Sequence, residues 1–197
     1  MNKNTKFSNF SFLLFAETHG YLDDFKMIKR LIMQQKPDYV LYELAEDNIF
    51  LESKDFENVL RQHQISEMTE IKDIKPVLKI CQKYHLPVIG IDFKNFGIKN
   101  PENVKEKNEN KEEPTEKKMK EFMELLIKRE QHQIKLIKEY QKKGKILVIT
   151  GAFHLREDSP FWKELKNVIV VYPTYKNEIV LEPNVKKQRI SYKIKKQ

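Results

Sequence analysis

Phe10-Ser11-Phe12-Leu13-Leu14-Phe15-Ala16-Glu17-Thr18-His19-Gly20 is the stretch on which the reading of this chain turns. An apolar run with three aromatic residues breaks into an acid, a hydroxyl and a histidine, and a helical pattern follows. A short run with no polar alternation marks a strand buried on both faces, as in a parallel sheet. In an open α/β sheet the loops leaving the carboxyl ends of the strands form the ligand crevice. A second stretch, Lys145-Ile146-Leu147-Val148-Ile149-Thr150-Gly151-Ala152-Phe153-His154, has the same form. Two histidines far apart in the chain therefore come to strand ends where they can be neighbours.

Outward from these runs, strands and helices alternate. Leu22, Phe25, Ile28, Leu31 and Ile32 recur at helical spacing, and Pro37 ends that helix. Tyr39 to Tyr42 predicts a strand that delivers Glu43, and Pro87 to Ile91 predicts one that delivers Asp92. Helices are expected over Asp55–Gln64, Ile71–Tyr84 and Glu116–Lys142, with another opened by Ser159-Pro160. Val168 to Tyr172 reads as a strand, and Glu178–Leu181 with Arg189–Ile194 as a terminal hairpin. The pattern predicts an α/β fold with a mostly parallel central sheet, helices on both faces and a C-terminal β-hairpin. At 197 residues, a single domain over 1–197 is expected. The segment at about 97–117, rich in Lys, Glu and Asn, is expected to stand apart from the core as a mobile insert.

Charge and composition exclude several classes. The formal net charge is +8, and Asn184 to Gln197 holds six basic residues and no acid. There, Ile190, Tyr192 and Ile194 alternate with Arg189, Ser191, Lys193 and Lys195. That is a half-buried strand with a charged outer face, so nucleic acid is not the expected partner. The one cysteine, Cys81, fits a reducing cytoplasmic setting. No segment approaches the roughly 20 apolar residues of a membrane span.

The strand ends gather Glu17, Thr18, His19, Glu43, Asp92 and His154. Each alone has a structural explanation, but so many ionisable groups at one crevice are costly unless they are used. The long helix adds to this. Met119, Phe122, Met123, Leu126, Ile134, Ile137 and Tyr140 define one apolar face, yet Arg129, Glu130 and Gln133 fall in the middle of the same arc. Either the helix holds an internal Arg-Glu pair, or it crosses the polar crevice with Arg129 directed into it. His63, His85 and His132 are read as solvated or structural.

Glu-Thr-His-Gly after the first strand, Pro-Asp-Tyr-Val-Leu-Tyr-Glu in the second and Gly-x-x-His near the last resemble the TraB/Tiki and erythromycin-esterase-like superfamily. The resemblance runs from about Phe10 to His154, with Ala16 standing where the family pattern has glycine. It implies a site made of Glu17, His19, Glu43, Arg129 and His154. It also implies a hydrolase of amide or ester bonds acting on a small-molecule or peptide substrate, in a superfamily that includes metal-dependent peptidases, metal-free esterases and haem-binding proteins.

Two mechanisms follow, and the metal-dependent one is expected ahead of the other, because two histidines and several acids at one crevice are costly to assemble without a cation. In the first, His19, Glu43 and His154 hold a divalent ion (Mn, Co or Zn), Glu17 is the general base and Arg129 stabilises the oxyanion. In the second, no metal takes part: His19 removes the proton from water, Glu17 or Glu43 orients it, and His154 or Arg129 polarises the carbonyl. A third reading is non-enzymatic. Tyr21, Tyr42, Phe93, Phe96, Phe153, Tyr172 and Tyr175 lie near strand ends and could line a pocket for haem.

Overall fold

The computed structural model describes residues 12–18, 22–101, 115–156, 158–165, 168–172, 174–175, 178–179 and 190–193. Its frame is a seven-stranded sheet built from β1 (Phe12–Glu17), β2 (Tyr39–Tyr42), β3 (Ile49–Phe50), β4 (Val88–Gly90), β5 (Ile146–Gly151), β6 (Ile169–Tyr172) and β9 (Ile190–Lys193). The spatial order is β3-β4-β2-β5-β1-β6-β9. Every neighbouring pair is parallel except β3 with β4, which is antiparallel. The long-range apolar runs thus sit in the centre, where both faces are covered.

Side-chain alternation along each strand divides the core in two. Leu13, Phe15, Val40, Tyr42, Leu147 and Ile149 face one way, against α1 (Leu22–Gln35), α2 (Ser53–Leu60) and α3 (Ile71–Lys83). Phe12, Leu14, Leu41, Ile146 and Val148 face the other way, against α4 (Glu116–Gln141) and α5 (Pro160–Glu164). Helices on both faces of a mostly parallel sheet are what the strand runs imply. Among the described residues, no helix is long and apolar enough to cross a membrane.

Local chemistry explains the element ends. Ser159 caps α5 by accepting from the Phe161 amide at 3.2 Å, with Pro160 in the first turn. Thr115 caps α4 by accepting from the Lys118 amide. Before β5, Asp38 Oδ2 accepts from the Lys145 amide at 2.7 Å, and a Cβ on Gly144 would lie 2.5 Å from that oxygen. Gly144 is therefore required by close approach rather than by flexibility.

The C-terminal hairpin is present with different partners. β7 (Thr174–Tyr175) pairs antiparallel with β8 (Glu178–Ile179), while β9 lies parallel beside β6. The expected pairing of Glu178–Leu181 with Arg189–Ile194 is corrected accordingly. Alternation marks a strand but carries no information on which edge it joins. Within the expected insert, residues 97–101 and the start of α4 belong to the described structure, and residues 102–114 lie outside it.

Candidate functional site

The strands β4, β2, β5 and β1 are adjacent, and their carboxyl ends carry Asp92, Glu43, Thr150 with Gly151, and Glu17. The register Tyr42↔Ile149 and Glu17↔Gly151 brings these ends level. Above them α4 contributes Arg129, Glu130 and Gln133, and the turn after β5 contributes His154 and Arg156. Four residues expected at the site, Glu17, Glu43, Arg129 and His154, line one cleft of about 590 Å³. His19, the fifth, lies outside the described residues, as does Tyr21.

Glu43 is the hub. Its Oε1 accepts from Arg129 Nη2 at 2.9 Å and lies 2.9 Å from His154 Nε2. Its Oε2 accepts from Thr150 Oγ1 at 2.8 Å and from the Gly151 amide at 2.6 Å. The strand arrangement explains this, because Thr150 and Gly151 end the strand directly beside the one that delivers Glu43. Four donors on one buried carboxylate fix its position.

Arg129 is forked between two acids. Nε donates to Asp92, and Nη2 donates to Asp92 Oδ2 at 2.7 Å as well as to Glu43. Gln133, one turn on, donates to Asp92 Oδ2 at 2.8 Å. The Phe96 ring lies 4.8 Å from the guanidinium carbon. Burial opposes the charge on Arg129, but the hydrogen bond to Asp92 and the charges of Glu43, Asp92 and Glu130 outweigh it and raise its pKa. Among the described residues the hydrogen bonds of Arg129 run through Nε and Nη2, and its side chain lines the cleft.

His154 is clamped from both sides. Nε2 meets Glu43 Oε1, and Nδ1 lies 3.1 Å from Glu130 Oε1. A neutral imidazole has one N–H and cannot donate to two carboxylates; the imidazolium can. Burial by itself would lower its pKa, but Glu43 and the hydrogen bonds to Glu130 and Glu43 prevail, and the pKa is pushed up to about 9. At neutral pH His154 is thus a fixed cation. Glu130 is in turn gripped by Arg156 through both oxygens, and Arg156 Nε lies 2.8 Å from Asp158 Oδ1. Glu43, Asp92 and Glu130 are then matched by Arg129, His154 and Arg156.

Glu17, at the end of β1, is buried, and its Oε1 accepts from the Tyr42 hydroxyl at 3.3 Å. Burial and the neighbouring Glu17 charge raise the Tyr42 pKa well above its ordinary value, so the phenol stays protonated and donates. Asp24 accepts from the Thr18 amide at 2.8 Å and fixes the exit of the chain from β1.

Glu43, Asp92 and His154 each offer a ligand atom within 4.8 Å of the others, and such a group could bind a metal ion. It shares Glu43 and His154 with the expected ligand set and has Asp92 as its third member. The donor types suit a divalent ion; the arrangement does not, because Arg129 already bridges both carboxylates and His154 holds its lone pairs as N–H bonds. A metal here needs Arg129 withdrawn and His154 deprotonated.

Sequence reasoning flagged Asp92, Glu130 and Gln133 but assigned them no role. It passed over Thr150 and Arg156. Thr150 did carry a signal, a lone hydroxyl ending an apolar strand next to a strand that ends in an acid. Arg156 carried none beyond its closeness to His154.

No protein-family model matches the chain, and no curated protein matches it. Solved structures do. The type III effector HopBA1 superposes with a TM-score of 0.55 at 16% identity, over 82% of this chain and 76% of that one. ChaN of Campylobacter jejuni, solved with cofacial heme binding, superposes with a TM-score of 0.53 at 13% identity, over 86% of this chain and 85% of that one. At these identities the likeness establishes a shared fold.

Proposed function

We propose that the cleft hydrolyses an ester or amide bond of a small-molecule or peptide substrate, as the resemblance to the TraB/Tiki and erythromycin-esterase-like superfamily implies. The observation that carries this reading is Arg129, anchored through Nε and Nη2 on Asp92 and Glu43, in the same cleft as Glu17. A preorganised cation and a buried carboxylate in one cleft are an arrangement that can catalyse acyl transfer to water, the carboxylate as base and the cation at the oxyanion. Glu17, with His19 two residues on, takes a proton from water as its oxygen bonds to the acyl carbon. Arg129 receives the charge that develops on the carbonyl oxygen. The bond to the leaving oxygen or nitrogen then breaks, and the proton held at the base passes to it. Glu43 and the His154 imidazolium position Arg129 and do not themselves exchange protons in this scheme. The alternative scheme with Mn, Co or Zn also puts Arg129 at the oxyanion, and the two schemes differ in whether an ion assists the water.

A panel of ester and amide substrates, assayed on the full chain with and without chelator, tests this. Cleavage should survive chelation, and Glu17→Gln should lower kcat about 10²- to 10⁴-fold, the usual range for loss of a general base. Absence of cleavage across the panel, or a fully active Glu17→Gln, overturns the reading.

A second reading, binding of a metal or haem without turnover, draws on the donor types of Glu43, Asp92 and His154, which an ion could use only with Arg129 withdrawn, and on the fold shared with the haem-binding ChaN. Metal uptake that is lost in Asp92→Asn, or a Soret band on haem titration, would favour it.

A further inference from the structure

The charged cluster accounts for only part of the cleft lining. Most of the rest is Leu44, Met68, Phe96, Phe122, Leu126 and Phe153. Phe122 is 47% exposed and Phe153 is 40% exposed, and their ring centroids lie 6.4 Å apart. A single exposed aromatic residue needs no explanation, but several that converge on one cavity do. Apart from Leu44 and Leu126, which is buried, these side chains pack into neither half of the core.

Their placement relative to the ions is ordered. On α4, Phe122, Leu126 and Arg129 follow at helical spacing on one side, so an apolar track leads to the guanidinium. Phe153 immediately precedes His154, and the Phe96 ring lies against Arg129. A cleft of about 590 Å³ is of the size that holds a small molecule.

We infer that the ligand of this cleft carries a neutral hydrocarbon acyl group, which lies along Phe122, Leu126 and Phe153 and brings its carbonyl to Arg129. Resting on the hydrolase reading, this makes the substrate an ester or amide of an apolar acid. Charged or very short acyl groups gain nothing from that track. Each buried methylene is worth up to about fourfold in binding.

The test compares 4-nitrophenyl acetate with 4-nitrophenyl hexanoate and adds 2-decanone, a ketone that cannot be hydrolysed, as a binding probe. For the full chain, kcat/KM should be about tenfold or more higher for hexanoate than for acetate. Phe122→Ala and Phe153→Ala should each reduce that ratio about fivefold, chiefly through KM. Met33→Ala, exposed on α1 outside the cleft, should leave the ratio unchanged. 2-Decanone should raise the Tm of the wild type more than that of Phe122→Ala. Cleavage without chain-length dependence and without a 2-decanone shift overturns the inference and leaves the hydrolase reading standing. A Phe122-dependent 2-decanone shift without cleavage of either ester supports the apolar site and overturns hydrolysis.

Discussion

Two glutamates three residues apart, Glu43 and Glu46, leave β2 together and are both buried, yet they are satisfied in opposite ways. Glu43 meets two cations and two neutral donors. Glu46 meets only neutral donors: Oε1 accepts from Ser66 Oγ at 2.5 Å and Thr69 Oγ1 at 2.7 Å, and Oε2 from the Asn95 amide at 2.7 Å. Glu46 itself sits at φ 52, ψ −121, a conformation that favours glycine. Its carbonyl lies so close to β4 that a Cβ on Gly90 would be 2.2 Å away. Glu46 thus ties three chain segments together. Its bond to Asn95 helps hold the turn in which Asn95 and Phe96 take left-handed φ of 52 and from which Phe96 covers Arg129. The difference teaches that burial of an acid does not mark a site; the sign of its partners and their access to a cleft do.

The comparison breaks most sharply by removing the hub. Glu43→Ala takes from Arg129 and from His154 one of the two carboxylates each holds, leaving Asp92 to the first and Glu130 to the second, and loss of one partner of a buried ion pair costs about 3–5 kcal/mol. Urea unfolding should register that loss, together with loss of ester cleavage. A Glu43→Ala variant as stable as wild type would mean that the cluster is not the charged knot described here.

The next effect is titration. His154 has a folded pKa of about 9, raised above its ordinary 6.5, so the protonated form favours the folded state. Its contribution is complete below about pH 6.5 and is lost as pH rises through about 9, with a size on the order of 3 kcal/mol. Tm measured from pH 6 to 10 should fall across that window, and His154→Gln should flatten the fall. A His154 NMR titration near 6.5 would contradict the two-carboxylate clamp.

The smallest effect comes from the neutral clamp. Glu46→Gln turns one acceptor into an amide facing hydroxyl and amide donors, and should cost about 1–3 kcal/mol. The His154 titration should not move, since Glu46 is not among the groups that shift it. A displaced His154 pKa in Glu46→Gln would show that the two acids are one network.

Much of the fold was legible from local pattern. β2 occupies the predicted Tyr39–Tyr42, and β1, β4, β5 and β6 fall within two residues of their predicted ends. The off-pattern Arg129, Glu130 and Gln133 on α4 were legible as a break in an apolar stripe. β3, two residues long, was not, because so short a strand has no periodicity of its own. Nor was the parallel placement of β9, which depends on the free edge of β6.

By itself the sequence determined where strands end, which residues stand at those ends, and that α4 carries charge where a core helix should not. Only the tertiary structure decided how those charges pair. Arg129 and Glu43 are 86 residues apart, and His154 and Glu43 are 111 apart. Their meeting depends on β5 entering the sheet between β2 and β1, a choice of strand order that no local spacing encodes. The same choice decides that His154 carries a proton. Protonation follows from two buried carboxylates converging on one ring, and that convergence exists only once the sheet is assembled.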